Sequence, residues 1–175
     1  MNNRSGNLVL VGLMGAGKTT LGRQLANTLQ LDFYDSDQVI CERTGVSIPT
    51  IFELEGEEGF RSRERAIIHE LVQLENIIIA TGGGTILHED NRHKLKKNGY
   101  VVYLHALPHI LLSRIQHDKN RPLLQVSDPL NKLQQLYAQR DSLYRDTAHL
   151  VIEANDSCIN ENIDRLSTIF HHPNL

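Results

Sequence analysis

The residues most able to do chemistry lie in Gly12-Leu13-Met14-Gly15-Ala16-Gly17-Lys18-Thr19, directly after the apolar run 8–11. A loop of this spacing turns its backbone amides inward, where they cradle phosphate. The lysine reaches the β- and γ-phosphates, and the threonine hydroxyl is placed to ligate Mg²⁺. The apolar run before the loop and the helical spacing of Leu21, Leu25, Ala26 and Leu29 after it give the strand–loop–helix setting that such a loop needs. The chain is therefore expected to bind the phosphates of a nucleotide.

Two further segments carry chemistry. Asp35-Ser36-Asp37 follows the short strand-like Phe33-Tyr34, and Thr81-Gly82-Gly83-Gly84 follows the run Ile77–Ala80. In an open parallel sheet, ligands gather at the carboxyl ends of the strands, so residues just past each strand are the informative ones. One aspartate can face Mg²⁺ and the other an acceptor substrate; the same pair also suits the N-cap of the next helix. Three glycines after a buried strand expose backbone amides to a close ligand, although a plain turn would use them too. No aspartate ends the 77–80 run, which makes Asp35 the candidate metal partner beside Thr19, acting through water because Mg²⁺ keeps much of its hydration shell. Arg61, Arg121 and Arg140 carry planar guanidinium groups suited to bidentate carboxylate or phosphate recognition. Each one alone also fits a solvated surface.

These groups need elements to position them. Strand-like runs at 8–11, 33–34, 77–80, 100–104 and 150–152 alternate with helical patterns. The alternation predicts an α/β fold, a five-stranded parallel sheet flanked by helices on both faces, with 77–80 and 101–104 as buried central strands. Gly45 and Gly99 stand where helix C-caps belong; Ser47 before Pro49 and Asp128 before Pro129 stand where helices start. The segment 57–75 reads as a long helix with Phe60, Ile67, Ile68, Leu71 and Leu74 inward and Arg61, Arg63, Glu64 and Arg65 outward. Around Asp118-Lys119-Asn120-Arg121-Pro122 the periodicity fades, which suggests either a mobile loop or a surface connection. A last amphipathic helix is expected over 160–170.

Composition narrows the function classes. The 175 residues, 40% of them hydrophobic, suit one globular domain. With 18 basic and 21 acidic residues and no long run of one sign, a nucleic-acid partner is not expected. The polar start and the short apolar run after it fit neither a signal peptide nor a membrane span, so a cytoplasmic protein with no membrane partner is expected. Cys41 and Cys158 match no zinc or redox spacing, and the nine histidines form no metal motif.

Taken in order, the loop 12–19, Asp35-Ser36-Asp37, Gly59-Phe60-Arg61-Ser62-Arg63-Glu64, the triple glycine, Arg121-Pro122-Leu123-Leu124, and Arg140 with Leu143-Tyr144-Arg145 resemble the shikimate kinase family over nearly the whole chain. The resemblance implies a P-loop fold like that of nucleoside monophosphate kinases. It also implies transfer of the ATP γ-phosphoryl group to the 3-hydroxyl of shikimate, on the route to chorismate and the aromatic amino acids. ATP and shikimate are the small-molecule partners, Mg²⁺ is the cofactor, and a monomer is expected. Residues 1–175 would form a single kinase domain with a substrate segment at about 35–65 and a lid at about 116–128. Carried over by position, Asp37 would bind shikimate hydroxyls and act as the base. Arg61 and Arg140 would hold the carboxylate, and Gly82, Gly83 and Gly84 would line its pocket. Gly15, Ala16, Gly17, Lys18, Thr19 and Thr20 would bind the nucleotide. Arg114 would pack against adenine, and Arg121 would close over the phosphates. Thr19 and Asp35 would serve the metal. The match is weakest at Glu153-Ala154-Asn155-Asp156, where the adenine contacts stay open.

Other kinases of this fold, acting on gluconate or a nucleoside monophosphate, compete with this reading, since gluconate also carries a carboxylate. A guanine-nucleotide switch would need Asn-Lys-x-Asp, and Asn131-Lys132-Leu133-Gln134 lacks the aspartate.

Overall fold

The computed structural model describes residues 6–116, 124–154 and 158–171. The chain begins with β1 (Asn7–Val11) and α1 (Lys18–Leu29), then β2 (Asp32–Asp35), α2 (Ser36–Thr44), α3 (Ile48–Leu71) and β3 (Ile77–Ala80). A single 3-10 turn (Thr85–Leu87) leads into α4 (Glu89–Asn98) and β4 (Gly99–His105). Then come α5 (Pro108–Ile115), α6 (Pro129–Thr147), β5 (Leu150–Glu153) and α7 (Ile159–His171). Arg121 and the heart of the expected lid lie outside the described residues, as do Asn155 and Asp156.

The sheet is parallel throughout, in the order β2-β3-β1-β4-β5. The runs read as central strands are buried, and so is β1: Leu8, Val9, Leu10, Val11, Ile78, Ile79, Val101 and Val102 have at most 1% exposure. Each such aliphatic side chain contributes about 1.5–3 kcal/mol when removed from water. The connection from β1 to β2 runs one way across the sheet, and those from β2 onward run the other way. Right-handed crossovers therefore place α1 on one face and α3, α4 and α6 on the opposite one. The contacts agree, with α1 touching α7 and α4 touching both α3 and α6. β1 and β3 are neighbours whose chains depart over opposite faces, which opens a crevice at their carboxyl ends. Register levels those ends, because Ala80 pairs with Leu10 on one side and Asp35 on the other.

Helix punctuation follows the sequence at most points. Ser47 caps α3 by accepting from Thr50 N, Asp128 caps α6 by accepting from Asn131 N, and Gly45 closes α2 with φ 71°. Gly99 differs from its expected role. Its φ of −159° is extended, and it is the first residue of β4 rather than a left-handed cap. A Cβ there would stand 2.8 Å from Val9 Cγ2 and 2.9 Å from the Asn7 carbonyl oxygen, so the glycine serves close strand packing. The long helix also differs from expectation. It begins at Ile48, breaks at Gly56 (φ 70°, ψ −177°) and stops at Leu71, leaving Leu74 exposed. Glu64, expected to face outward, is 1% exposed. Its spacing from Phe60, Ile67 and Leu71 puts it on the inward face, and the ion pair described below supports its charge there.

Candidate active site

The loop after β1 bends into the start of α1, with Gly17 in left-handed conformation (φ 91°) as the residue before the helix. Lys18 is buried, and its Nζ donates to the carbonyls of Gly12 (2.7 Å) and Leu13 (2.9 Å), which holds the ammonium within the curve of the loop. Gly15 is tight against α5: a Cβ there would stand 2.7 Å from Ile115 Cγ2. The loop forms one wall of a cavity of about 350 Å³, which also includes Thr19, Thr20, Asp35, Asp37 and Arg114.

Asp35 serves two ends. Its Oδ1 accepts from the amides of Asp37 and Gln38 and so caps α2, while its Oδ2 accepts from the Thr19 hydroxyl at 2.5 Å. The capping and metal-site readings of the Asp-Ser-Asp segment are thus compatible in one side chain. Thr19 and Asp35 bring two oxygen donors together on the cavity wall, a donor set suited to a hard cation such as Mg²⁺. Among the described residues no group of three or more His, Cys, Asp or Glu could hold a metal by itself. Mg²⁺ here would need the nucleotide's own oxygens.

At the other end of the cavity, Arg114 reaches from α5 to the Gly15 carbonyl (3.1 Å) and the Ala154 carbonyl (2.6 Å), tying the phosphate loop to the end of β5. The Ala154 amide in turn donates to the His105 carbonyl. Ala154, Ile159 and Asn162 line this end of the cavity. Sequence leaves these contacts open, because Ala154, Ile159 and Asn162 stand in no motif.

Beyond the phosphate loop, the three glycines after β3 each border a different charged side chain. A Cβ at Gly82 would stand 2.7 Å from Asp37 Oδ1 and equally far from Glu64 Oε2. At Gly83 it would stand 3.7 Å from Arg140 Nη1, and at Gly84 it would fall within 2.3 Å of the Arg61 guanidinium. The absence of side chains here lets one aspartate and two arginines converge on a single turn of backbone. That turn is held from below: the Gly82 amide donates to Ser36 Oγ and the Asn91 side chain donates to the Thr85 carbonyl.

Glu64 is the member of this cluster that the sequence reading misplaced. It accepts from Arg61 Nη1 at 2.9 Å and from the Thr85 hydroxyl at 2.9 Å. Glu57 takes the other arm of Arg61 at 3.2 Å. Burial works against the Arg61 charge, but the Glu64 and Glu57 carboxylates outweigh it and hold its pKa above the ordinary value. Arg140 is 3% exposed. Arg61 Nε and Arg140 Nε and Nη1 are buried and have no hydrogen-bond partner among the described residues. Buried donors of charged groups ordinarily find acceptors, so this set is shaped for an anion that a folded chain alone does not provide. Cys41 and Cys158 are not joined in a disulfide. No helix among the described residues is long and apolar enough to cross a membrane.

Comparison with known proteins bears on the same features. Residues 14–169 match the family model described as shikimate kinase. A shikimate kinase of Neisseria meningitidis serogroup C is 59% identical over 154 residues, covering 88% of this chain and 91% of that protein. One of Nitrosospira multiformis is 60% identical over 150 residues, covering 86% and 77%. Among solved structures, shikimate kinase from Acinetobacter baumannii in complex with shikimate superposes with a TM-score of 0.94 at 46% identity, covering 99% of this chain and 97% of that one.

Proposed function

The chain belongs to the shikimate kinase family, and on that footing we propose how its residues carry the γ-phosphoryl group of ATP to the 3-hydroxyl of shikimate. The enzyme is an ATP-dependent kinase whose products are shikimate 3-phosphate and ADP. Phosphoryl transfer asks for an in-line acceptor, neutralised charge and exclusion of water more than for covalent help.

The observation that carries the assignment of sites is the set of buried open donors on Arg61 and Arg140, gathered with Asp37 around the Gly82–Gly84 turn. A carboxylate satisfies those donors. Gripping shikimate by its carboxylate at Arg61 and Arg140 fixes one end of a small ring, and Asp37, on the wall shared with the phosphate loop, lies where a ring hydroxyl would point toward the nucleotide. Orientation of this kind supplies a large part of the rate acceleration. Asp37 accepts the hydroxyl proton as the oxygen attacks. Gly15, Ala16, Gly17, Lys18, Thr19 and Thr20 bind the nucleotide phosphates, and Arg114 packs beside the base. Thr19, and Asp35 through water, would hold Mg²⁺ together with the nucleotide, where the ion would supply neutralisation of charge on the transferring group.

Arg121 and the lid at about 116–128 are assigned from the sequence resemblance alone; closing over the phosphates would add a positive charge and keep out water. Phosphate loop, aspartate and both acceptor arginines come from one chain, so we assign the activity to a monomer made of one kinase domain, working in the cytoplasm where ATP is at hand. The test is ADP release from MgATP with shikimate, gluconate or a nucleoside monophosphate as acceptor. Rapid turnover with shikimate is expected. Turnover with either alternative and none with shikimate rejects the assignment.

A further inference from the structure

We propose that Thr85 is a positioning residue for the acceptor's carboxylate: its hydroxyl holds one oxygen of Glu64, keeps that carboxylate on a single nitrogen of Arg61, and so leaves the guanidinium turned to receive the substrate. The proposal rests on the assignment of Arg61 to the shikimate carboxylate made above.

A carboxylate facing a guanidinium frequently closes on it with both oxygens, in two parallel hydrogen bonds. Glu64 does not. Its Oε1 accepts from Arg61 Nη1 at 2.9 Å, while its Oε2 accepts from the Thr85 hydroxyl, also at 2.9 Å. Glu57 accepts from Arg61 Nη2 at 3.2 Å, and Arg61 Nε, which is buried, has no partner among the described residues. An arginine offers five N–H donors in a fixed fork. The two glutamates thus neutralise the charge with one hydrogen bond each, and they leave donors for a third carboxylate.

Thr85 is built to hold that oxygen. It is fully buried and directly follows the three glycines. Its amide donates to the Gly82 carbonyl at 3.1 Å, and its carbonyl accepts from the Asn91 side chain at 3.0 Å. A β-branched side chain has few allowed rotamers, so a backbone fixed at both polar groups also fixes the hydroxyl. The same turn borders both members of the ion pair. A Cβ at Gly82 would stand 2.7 Å from Glu64 Oε2, and one at Gly84 would fall within 2.3 Å of the Arg61 guanidinium. Glu64 is 1% exposed, so bulk water is no substitute for the donor that Thr85 supplies.

T85V keeps the branched shape and removes the hydroxyl. With no donor at Oε2, Glu64 closes on Arg61 with both oxygens, and substrate binding has to undo that pairing. The cost is about one hydrogen bond to a charged group, or about ten-fold in affinity. The expected result is a shikimate KM raised about ten-fold, an ATP KM unchanged within about two-fold, and a folded protein by thermal unfolding. T85S returns the hydroxyl and should recover most of the loss. I86V trims the neighbouring buried side chain without removing a hydrogen bond, and should leave the shikimate KM within about two-fold. In an R61A background, T85V should add nothing further to the shikimate KM, because the group it positions is gone. An unchanged shikimate KM in T85V with a lowered melting temperature makes the threonine merely structural and overturns the proposal. So does a loss that T85S fails to recover, an equal rise in I86V, or a full additional loss in the R61A background. If R61A itself leaves the shikimate KM unchanged, it is the carboxylate assignment that fails, and this proposal falls with it.

Discussion

Three adjacent glycines, each against a different charged group, gather the residues of the proposed acceptor site: Asp37 at Gly82, Arg140 at Gly83 and Arg61 at Gly84. Asp37→Asn keeps the shape and removes the base; kcat should fall by roughly 10²–10⁴-fold, read by steady-state ADP release, with the ATP KM little changed. Near-normal turnover would remove Asp37 from that role. Arg140→Ala takes a charged partner from a buried carboxylate, so shikimate affinity measured by titration should weaken by about ten-fold or more while nucleotide affinity holds. Equal losses for both ligands would place the arginine in the fold instead. These residues were legible in the sequence because each stands beside a strand end or in a quoted motif. Glu64 was not, since a charged residue beside Arg61, Arg63 and Arg65 reads as solvated surface until the Arg61 guanidinium that neutralises it and the Thr85 hydroxyl that donates to it are in place.

At the scale of elements, the sheet brings the two half-sites together. Ala80 pairs with both Leu10 and Asp35, so the phosphate loop, the Asp35–Asp37 segment and the glycine turn all emerge at one level. The strands were readable from their apolar runs, and most caps from their residue types. Gly99 was not, because its reason is tertiary: the side chain of Val9 and the backbone of Asn7 leave no room for a Cβ. Gly99→Ala should therefore lower stability by about 1–3 kcal/mol in chemical denaturation. Both KM values should stay unchanged, since the proposed ligand sites lie at the opposite end of the sheet. A stability equal to that of the parent protein would show that β1 and β4 can part at no cost. The end of α3 was also misjudged by sequence. The apolar spacing runs on to Leu74, but the helix stops at Leu71, and the Asn7 side chain donates to the Leu74 carbonyl, a contact from 67 residues away.

Over the whole molecule, one buried cluster joins the sheet to helices from both faces, so ligands bound at the crevice act on the stability of the entire fold. Shikimate at about 100 times its Kd should add about 2.7 kcal/mol. In a protein of this size that raises the melting temperature by about 5–10 °C. Arg140→Ala at the same shikimate concentration should lose most of that rise yet keep the rise produced by MgATP; retention of both would detach the arginine from shikimate. Fold class was legible at this scale from alternation, and the phosphate loop from its spacing, whereas the cavity wall at Ala154, Ile159 and Asn162 carries no motif and is set by tertiary packing. The most direct measurement is a crystal structure of the enzyme with shikimate and a non-hydrolysable ATP analogue. The account predicts the shikimate carboxylate bridged by Arg61 and Arg140, with its 3-hydroxyl at Asp37 and directed toward the γ-phosphate above Lys18. A carboxylate bound away from both arginines, or a 3-hydroxyl turned from Asp37, would contradict it.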